Sequence, residues 1–553
     1  MGRRNTSHII LGVLAATIFA AINLYVLTVG HPHEDAYILF IYSEMLAHFG
    51  EITYFKGGPP TEGATDFLWM AILAALNFIV VKTGLAALVV NAIGVFICVG
   101  LIGKAVQNRG GHLAIAIIFA LVFPIHFIAQ ASYAGFSTAI YAAIILAINY
   151  VILFAKSGAS AEDGSAHGWN DLFWIPILGL LIGLFRPDGV ILGVIATFAA
   201  MALIDRDYFK RYFLICGAMA LLGIGYFVWR WDYFGHILPL PLYVKSQADA
   251  FLPGIEHNMD WFAGYVILTG VFIALYVRQP QLRSRLILAL LPALSLFVAL
   301  FFAVQSQNIA DRFQAPLAIF LIFAAAIFAA DCFPAKKKPR SRGRNIAFVG
   351  VAIFLVVIHV GYFARKTDKL IGNLLNTQYI NYLPYHLADA LRQDNKIILT
   401  EAGRFAYWVP GEKYDLVGLN TDYTALNGPS QAYIERLDAD IIFIHLAGLI
   451  NHDCGDVNFC TVSRATLSEK IVAAQVLDTK YQDRVGQSAA AALSFLQSSS
   501  IDYEFIFVRY GAFDHFYALK RDNPALLSSF YTALNLSFEP KGRLSYIEMT
   551  APR

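Results

Sequence analysis

The sequence predicts an α-helical polytopic membrane protein that ends in an α/β domain. Of the 553 residues, 58% are hydrophobic and only 14% are charged, which excludes an ordinary soluble globular domain. Apolar runs long enough to cross a bilayer recur up to residue 363. Shorter, strand-like runs follow at 396–409, 438–448 and 502–509, separated by helical stretches such as 466–478. These observations divide the chain into a membrane domain, residues 1–365, and an α/β domain, residues 366–553.

The membrane domain is expected to hold about 11–13 transmembrane or re-entrant helices. Its first run, residues 9–29, exceeds the apolar core of a signal peptide and is interpreted as a retained span with a cytoplasmic N-terminus. Two short runs on either side of Arg186-Pro187-Asp188-Gly189 favour a helical hairpin or broken helices over two full crossings. Including that pair, the further runs lie at 67–82, 85–103, 112–130, 135–155, 172–185, 188–204, 211–229, 261–277, 285–304, 314–332 and 346–363.

The basic segment KKKPRSRGR, residues 336–344, orients these spans. It carries six positive charges and no acid and is therefore expected in the cytoplasm, with a lipid-headgroup or nucleic-acid patch as the alternative. Counting spans back from this segment places Arg186, Lys245 and Arg312 outside, together with the α/β domain. Counting forward from the cytoplasmic N-terminus gives a result that differs by one span between residues 66 and 111. One segment there must be re-entrant or differently divided.

Cysteine usage adds one expectation. Three of the five cysteines fall in or beside apolar spans and are interpreted as small packing residues. Cys454 and Cys460 lie in a polar part of the α/β domain, and an outer location allows them to close a small disulfide loop. A metal site formed by these two thiols with His452 is a weak alternative, because the spacing matches no recognised zinc motif.

A polar insert, residues 31–66, follows the first span and is interpreted as the first external loop. Glu34 and Asp35 stand at its start, and ionisable groups at a membrane boundary are costly enough to suggest a function. A helix along the membrane surface is expected over residues 36–48, with Asp35 as its N-cap. A plain capping role for Asp35 is the alternative.

The same insert continues into a glycine- and proline-rich run. Gly57-Gly58-Pro59-Pro60-Thr61-Glu62-Gly63 forbids regular structure and predicts a tight, specifically shaped loop that contains Glu62.

Several motifs carry a resemblance to a known family. Glu34-Asp35-Ala36-Tyr37 and Gly57 to Thr65 resemble the first external loop of the GT-C glycosyltransferases, especially the mycobacterial-type terminal arabinofuranosyltransferases. Further motifs of that group follow in the same order over nearly the whole chain. They are Arg186-Pro187-Asp188-Gly189, the segment from Tyr233 to Lys245, Arg312-Phe313-Gln314-Ala315-Pro316, Glu401-Ala402-Gly403 and Asp415-Leu416-Val417-Gly418-Leu419-Asn420.

Two positions depart from that pattern. Both members of the acidic pair are usually Asp in the relatives, whereas this chain has Glu34 first, which leaves Asp35 as the firmer catalytic candidate. Relatives often carry Gly-Met-Glu-Thr where this chain has Gly135-Phe136-Ser137-Thr138, so a carboxylate is missing there and the preference for donor or acceptor is open.

The charged residues suit transfer of a sugar from a polyprenyl phosphate. The leaving lipid phosphate needs cations, for which Lys245, Arg186 and Arg312 are predicted. The acceptor hydroxyl needs a carboxylate to take its proton, and Asp35 is the predicted general base, with Glu34 orienting it or binding the donor. Predicted substrate contacts are Tyr37, Glu62, Tyr243 and Asp188.

No metal is expected to be required, although a divalent metal is an alternative. His31 and His33 with Glu34 and Asp35 offer imidazole and carboxylate ligands that suit zinc or manganese. The expected partners are a polyprenyl-phosphate sugar donor, membrane lipid, and a glycan, glycolipid or glycoprotein acceptor. No nucleic acid is expected.

The predicted function is transfer of a sugar to a cell-envelope acceptor. The resemblance implies arabinofuranose, inversion, and a multi-pass enzyme of the cytoplasmic (inner) membrane with its active site and α/β domain on the periplasmic or extracellular side. A GT-C transferase of another sugar to lipid or protein is the first alternative. A flippase or transporter for a lipid-linked sugar is the second, but transporters place ionisable residues near the bilayer midplane and show repeated halves, and neither pattern is evident.

Overall fold

The chain folds into a bundle of apolar helices followed by a domain with one six-stranded sheet. The computed structural model describes residues 6–79, 82–155, 171–245, 251–303, 308–335, 370–376, 378–446, 454–455, 457–468, 471–472, 484–510 and 513–549. The helices of the first part are α1 (Ser7–Val29), α2 (Glu34–Phe49), α3 (Phe67–Asn77), α4 (Thr83–Asn108), α5 (Leu113–Val122), α6 (Phe127–Tyr133), α7 (Thr138–Phe154), α8 (Trp174–Phe185), α9 (Gly189–Met201), α10 (Arg206–Phe234), α11 (Leu240–Lys245), α12 (Phe251–Arg278), α13 (Arg283–Ala299) and α14 (Ala315–Cys332).

Seven helical segments of the described residues are long and apolar enough to cross a membrane. They are α1, α4, α10 and α12 together with the composite segments Leu113–Tyr133, Pro280–Phe302 and Ile309–Cys332, and four shorter apolar helices accompany them. This pattern confirms the predicted polytopic helical class. The predicted span at 346–363 and the basic segment at 336–344 lie outside the described residues.

The short helix α3 accounts for the conflict in the span count. Its 11 residues rise about 16 Å, roughly half of a hydrocarbon core about 30 Å thick, whereas α4 has 26 residues and is long enough to cross. The predicted crossing at 67–82 is therefore a half-length helix. The predicted hairpin is also present, because α8 and α9 pack against each other on either side of Arg186-Pro187-Asp188.

Helix α2 differs from the prediction in its start and in its surroundings. It begins at Glu34, and the N-cap is His33, whose ring accepts a hydrogen bond from the Asp35 backbone N–H at 3.2 Å. Asp35 is therefore in the first turn, and its predicted capping role is wrong. Residues 36–43 are all buried, and α2 packs against α3 and the helix Arg404–Trp408, so protein encloses it where an exposed surface helix was expected.

The α/β domain is organised by strands β1 (Lys396–Leu399), β2 (Glu412–Asp415), β3 (Ile441–Leu446), β4 (Phe459–Thr461), β5 (Tyr503–Tyr510) and β6 (Phe513–Lys520). The sheet order is β2-β1-β3-β6-β5-β4, with β2, β1 and β3 parallel and the other pairs antiparallel. The helices of this part are Leu383–Leu387, Arg404–Trp408, Asp422–Asn427, Gln431–Leu437, Arg484–Ser498 and Pro524–Phe538. The mixed α/β class is thus confirmed.

The predicted strands agree only in part. The runs at 438–448 and 502–509 contain β3 and β5, but the run at 396–409 is a strand only up to Leu399 and then forms the helix Arg404–Trp408. The helix predicted over 466–478 falls largely outside the described residues. Cys454 and Cys460 form a disulfide, as the sequence allows.

The Asp415–Asn420 motif fastens the α/β domain to the first loop. The buried Asp415 carboxylate accepts hydrogen bonds from the backbone N–H groups of Val417 at 2.9 Å and Asn420 at 3.0 Å. The Asn420 side chain in turn accepts one from the Tyr42 hydroxyl at 3.1 Å. Gly63 is required at this contact, because a Cβ there would collide with the Asn420 side-chain oxygen. The motif is therefore a structural clamp.

Candidate active site

Charged side chains meet where several helices of the bundle begin or end. The meeting place combines the start of α2, the turn before α7, the residue before α3, the α8–α9 turn, the turn before α14 and the loop after β1. The residues involved are Glu34, Asp35, Asp66, Arg186, Asp188, Arg312, Glu401 and Arg404, which influence one another electrostatically. Of the predicted site residues, Asp35, Glu34, Arg186, Asp188 and Arg312 are brought together here.

Asp35 has a carboxylate that is not committed to a structural contact. The side chain is half-buried, and no described residue forms a hydrogen bond with its oxygens. It lies close enough to Arg312, His33 and Glu401 to affect the charge of each. Asp35 is thus a half-buried carboxylate whose oxygens are not engaged by the described residues, so they are available to accept a proton from a bound hydroxyl group.

Glu34 is held by the α/β domain. Its carboxylate oxygens accept hydrogen bonds from the backbone N–H of Gly403 at 2.5 Å and of Arg404 at 2.8 Å. The Arg404 Nε lies 3.9 Å from Glu34 Oε2. Burial and the neighbouring Glu401 carboxylate nevertheless raise the pKa of Glu34 to about 8, against the opposing effect of Arg404 and the two N–H groups. A carboxyl group whose two oxygens are both engaged in this way is a poor base.

Arg312 presents a guanidinium group with an open hydrogen-bonding position. Its Cζ stacks 3.8 Å from the Phe136 ring centroid and 5.4 Å from that of Phe313. The Nη1 atom is buried and has no hydrogen-bond partner among the described residues. A buried, unpaired donor is costly, so this position favours an anionic ligand that accepts a hydrogen bond.

The backbone before Arg312 adopts a strained turn. Ala310 (φ 54°) and Asp311 (φ 51°) are both in the left-handed region, which costs about 1–2 kcal/mol per residue for a side chain other than glycine. The buried Asp311 carboxylate lies 3.2 Å from His257 Nε2, and Asn308 Oδ1 accepts a hydrogen bond from the Phe313 N–H at 3.0 Å. These contacts hold the turn that aims Arg312, as is common where strain is stored at a functional site.

Arg186 and Asp188 are paired with each other. Arg186 Nε and Nη2 donate to the two Asp188 oxygens at 3.0 and 2.9 Å, and the guanidinium also stacks on Tyr141 and Phe313, each at 4.9 Å. Sequence reasoning assigned the two residues to different substrate groups. The structure shows instead that each neutralises the other, so Arg186 offers less charge to a phosphate than Arg312 does.

Asp66 is a site residue that the sequence analysis missed. Its carboxylate accepts hydrogen bonds from Ser137 Oγ at 3.0 Å and Thr65 Oγ1 at 3.2 Å, and it lies near Arg186 and Arg312. Its buried surroundings raise the pKa of Asp66. Asp66 therefore supplies a carboxylate to the turn at Ser137 from another segment of the chain. The signal in the sequence is an acid directly before an apolar run.

The predicted substrate contacts of the first loop are engaged in packing. Glu62 is 6% exposed and accepts a hydrogen bond from Arg230 Nε at 2.7 Å within a buried ion pair. Tyr37 is fully buried among aromatic rings that include Tyr407 and Trp408. Both side chains stabilise the loop and α2, and Tyr37 also lies close enough to Glu34 and Arg404 to interact electrostatically with them. Their predicted roles in substrate binding stay predictions.

The predicted residues of α11 contribute less to the described site. Tyr243 is half-buried, and its hydroxyl accepts a hydrogen bond from the Leu238 N–H at 3.4 Å. Lys245 is the last residue of α11, and its side chain lies outside what the structure describes. The roles predicted for both in substrate or phosphate binding stay predictions.

The first-loop histidines are used for structure, not grouped as metal ligands. His31 Nε2 is 3.1 Å from the Leu544 carbonyl oxygen, and His33 caps α2. Among the described residues, the His, Cys, Asp and Glu side chains close enough to share an ion are Glu401, His445 and His515. The thiols of Cys454 and Cys460 are consumed by their disulfide, which removes the alternative metal site with His452.

Comparison with solved structures identifies the fold. The chain aligns with ArnT from Cupriavidus metallidurans bound to undecaprenyl phosphate at a TM-score of 0.52 and 14% identity, over 80% of this chain and 93% of that chain. The apo state of ArnT from the same organism aligns at a TM-score of 0.51 and 15% identity, over 78% and 92%. No protein-family model matches the sequence, and no curated protein matches it significantly. The predicted GT-C type of membrane fold, with its C-terminal sheet domain, is therefore confirmed as a fold.

Proposed function

We propose that the protein is a membrane glycosyltransferase that uses a polyprenyl-phosphate sugar as donor. The observation that carries this proposal is the pair formed by the Asp35 carboxylate and the buried Nη1 of Arg312, neither of which has a hydrogen-bond partner among the described residues. A base and an anion-binding donor placed side by side are the two groups that transfer from a phosphate leaving group needs. The fold supports the proposal, since ArnT, with the same architecture, binds undecaprenyl phosphate.

The proposed step is a single displacement. The acceptor hydroxyl oxygen attacks the anomeric carbon and forms the new glycosidic bond, while the bond between that carbon and the donor phosphate oxygen breaks. The polyprenyl phosphate leaves with the electron pair, and Asp35 takes the hydroxyl proton. Attack opposite the leaving group inverts the anomeric centre.

Arg312 is the principal stabiliser of the leaving phosphate in this proposal. Its Nη1 donates to a phosphate oxygen at the moment when negative charge grows there, in surroundings partly shielded from water. Arg186, already paired with Asp188, stacks on the ring of Phe313, which Arg312 also contacts, and so helps to keep that ring in place. Lys245 stays a proposed second cation for the phosphate.

Glu34 and Asp66 are proposed as positioning residues. Glu34 joins the start of α2 to residues 403 and 404, so it fixes the direction in which Asp35 leaves the helix. Asp66 holds the turn at Ser137, next to the ring of Phe136 on which Arg312 stacks.

The sugar, acceptor and membrane side are proposed from the sequence motifs. Arabinofuranose is the proposed sugar, a cell-envelope glycan, glycolipid or glycoprotein is the proposed acceptor, and the outer face of the cytoplasmic membrane is the proposed location. The disulfide between Cys454 and Cys460 supports an oxidising compartment for the α/β domain.

The test measures sugar transfer by the full chain reconstituted in liposomes, whose two membrane faces are separate. Polyprenyl-phosphate arabinose, a hexose donor and an aminoarabinose donor are each offered with a cell-envelope glycan, and mass spectrometry detects the product. Transfer from one donor by the wild type, lost in Asp35→Asn, is the expected result. Lipid-linked sugar that crosses the membrane unchanged, at equal rates in wild type and variant, would overturn the proposal in favour of a flippase.

A further inference from the structure

A second cluster of polar side chains lies at one end of the central strands β3 and β6 of the α/β domain, beside the end of β1. It consists of Glu401, His445 and His515, whose ligand atoms lie within 4.8 Å of one another. We infer that these three residues form a binding site for a divalent transition metal, with Zn²⁺ as the best match to two imidazoles and one carboxylate. The inference goes beyond the proposed sugar transfer and does not depend on it.

The sheet register brings the three residues to one place. His445 on β3 and His515 on β6 are direct partners across an antiparallel pair, and their Nδ1 and Nε2 atoms are 2.8 Å apart. On the other side of β3, Leu399 of β1 pairs with Phe443. Glu401 lies two residues after Leu399, and His445 lies two residues after Phe443. Because side chains alternate along a strand, this register places the three ligands in a row on one face.

The surroundings of His515 are typical of a metal ligand. Its Nδ1 lies 2.5 Å from the Tyr379 hydroxyl, which is also 3.2 Å from the Tyr517 hydroxyl. A partner on Nδ1 fixes the tautomer and the orientation of the ring. The other nitrogen, Nε2, is hydrogen-bonded to His445 Nδ1, so an ion bound there takes the place of the proton that the two nitrogens share. Nitrogen ligands of a tetrahedral zinc lie about 3.3 Å apart, so the two rings need to separate by only about 0.5 Å to admit the ion.

The charge balance also favours a cation. The site and this cluster together contain five carboxylates, Glu34, Asp35, Asp66, Asp188 and Glu401, but only three described guanidinium groups, Arg186, Arg312 and Arg404. Burial makes such an excess of negative charge costly unless protons or a cation offset it. A dication next to Glu401 offsets the excess, and the anionic phosphate of a donor increases the need for it.

The same cluster is placed to tie the sheet to α2. Glu401 begins the loop whose backbone at Gly403 and Arg404 holds Glu34, and the Tyr54 hydroxyl of the first loop donates to the Ala402 carbonyl oxygen between them. A metal bound by Glu401 fixes this loop from the side of the sheet. The proposed role of the metal is therefore to order the contact between the two domains.

The test measures zinc binding with no sugar donor present. The full chain is purified in detergent, stripped with a chelator and reloaded with Zn²⁺ alone, and bound metal and affinity are measured by mass spectrometry and chelator competition. One zinc per chain is expected, with affinity at least tenfold weaker in His445→Ala and Glu401→Gln and about 10–100-fold weaker in Tyr379→Phe. His48→Ala, which removes an exposed histidine at the end of α2, is the matched control and should bind like the wild type.

X-ray absorption of the zinc-loaded wild type keeps the inference testable even if a variant fails to fold. Nitrogen and oxygen ligands at about 2.0–2.2 Å are expected. Absence of stoichiometric zinc, sulfur ligation, or loss of zinc in His48→Ala would each overturn the site. Since no transfer is measured, a wrong donor or a wrong enzyme class leaves this result unaffected.

Discussion

The two acidic residues at the start of α2 face different regions of the molecule. Glu34 faces the α/β domain, where two backbone N–H groups and Arg404 engage its carboxylate. Asp35, the next residue, faces the charged ends of the bundle helices, where no described residue forms a hydrogen bond with its oxygens and Arg312 has an unpartnered donor. Two adjacent acidic residues thus differ in their contacts: hydrogen bonds hold the Glu34 carboxylate, and none from the described residues holds that of Asp35.

This difference shows how a structural contact and a reactive group can share one helix turn. A carboxylate that satisfies buried N–H groups cannot be released without leaving those donors unpaired, so Glu34 serves as an anchor. The anchor fixes the helix end and thereby the position of its neighbour, which keeps its oxygens available for a proton. Catalysis in this arrangement depends on Asp35, and the placement of Asp35 depends on Glu34.

The largest expected effect comes from exchanging the two carboxylates for amides one at a time. Asp35→Asn removes the proton acceptor at constant shape and should reduce the transfer rate by about 10²–10⁴-fold with the melting temperature unchanged. Glu34→Gln keeps one acceptor oxygen but leaves a backbone N–H poorly paired. It should lower the free energy of unfolding by about 1–3 kcal/mol and reduce transfer far less.

Initial rates by mass spectrometry and thermal unfolding in detergent measure the two effects. The comparison would be reversed, and Glu34 would be the base, if Glu34→Gln abolished transfer at full stability while Asp35→Asn retained the wild-type rate.

A smaller effect is expected from Arg312→Lys. Lysine keeps the positive charge but lacks the planar group that stacks on Phe136 and presents Nη1, so we expect kcat to fall about 10²-fold with a smaller change in KM. The matched control is Arg436→Lys, because Arg436 stacks on Tyr423 and Tyr433 at an exposed position outside the cluster. An equal loss in both variants would mean that stacking on aromatic rings, not phosphate binding, accounts for the effect.

The helical architecture was predictable because hydrophobic length and periodicity are local properties. Among the described residues, the differences from the prediction are the half-length of α3, the His33 cap and buried position of α2, and the part of the first strand-like run that forms the helix Arg404–Trp408. In that run Ala402 and Gly403 interrupt the strand pattern, and a buried contact with α2 decides the outcome. Tertiary packing of this kind overrides local propensity.

Several members of the site were predictable, although Asp66 was missed, but the pairings between them were not. Asp35 and Arg312 were recognised from motifs, whereas the mutual neutralisation of Arg186 and Asp188 depends on the geometry of a turn. Glu62 forms an ion pair with Arg230, a residue that lies outside every motif and 168 residues away in the chain. The pair His445 and His515 is set by strand register, which the sequence does not display.

The smallest expected effect tests whether the anchor at Glu34 depends on close backbone contact. Gly403→Ala adds a Cβ that would collide with the Glu34 carbonyl oxygen, so the loop must move away from α2. We expect the free energy of unfolding to fall by about 1–3 kcal/mol, as for overpacking of a core. The transfer rate should fall only to the extent that the shift of the loop displaces Asp35. The control is Gly372→Ala, since a Cβ at the exposed Gly372 meets nothing within 4 Å and its stability should match the wild type. Unchanged stability of Gly403→Ala in thermal unfolding would show that the α/β domain does not fix the start of α2, and the division of labour between Glu34 and Asp35 would lose its physical basis.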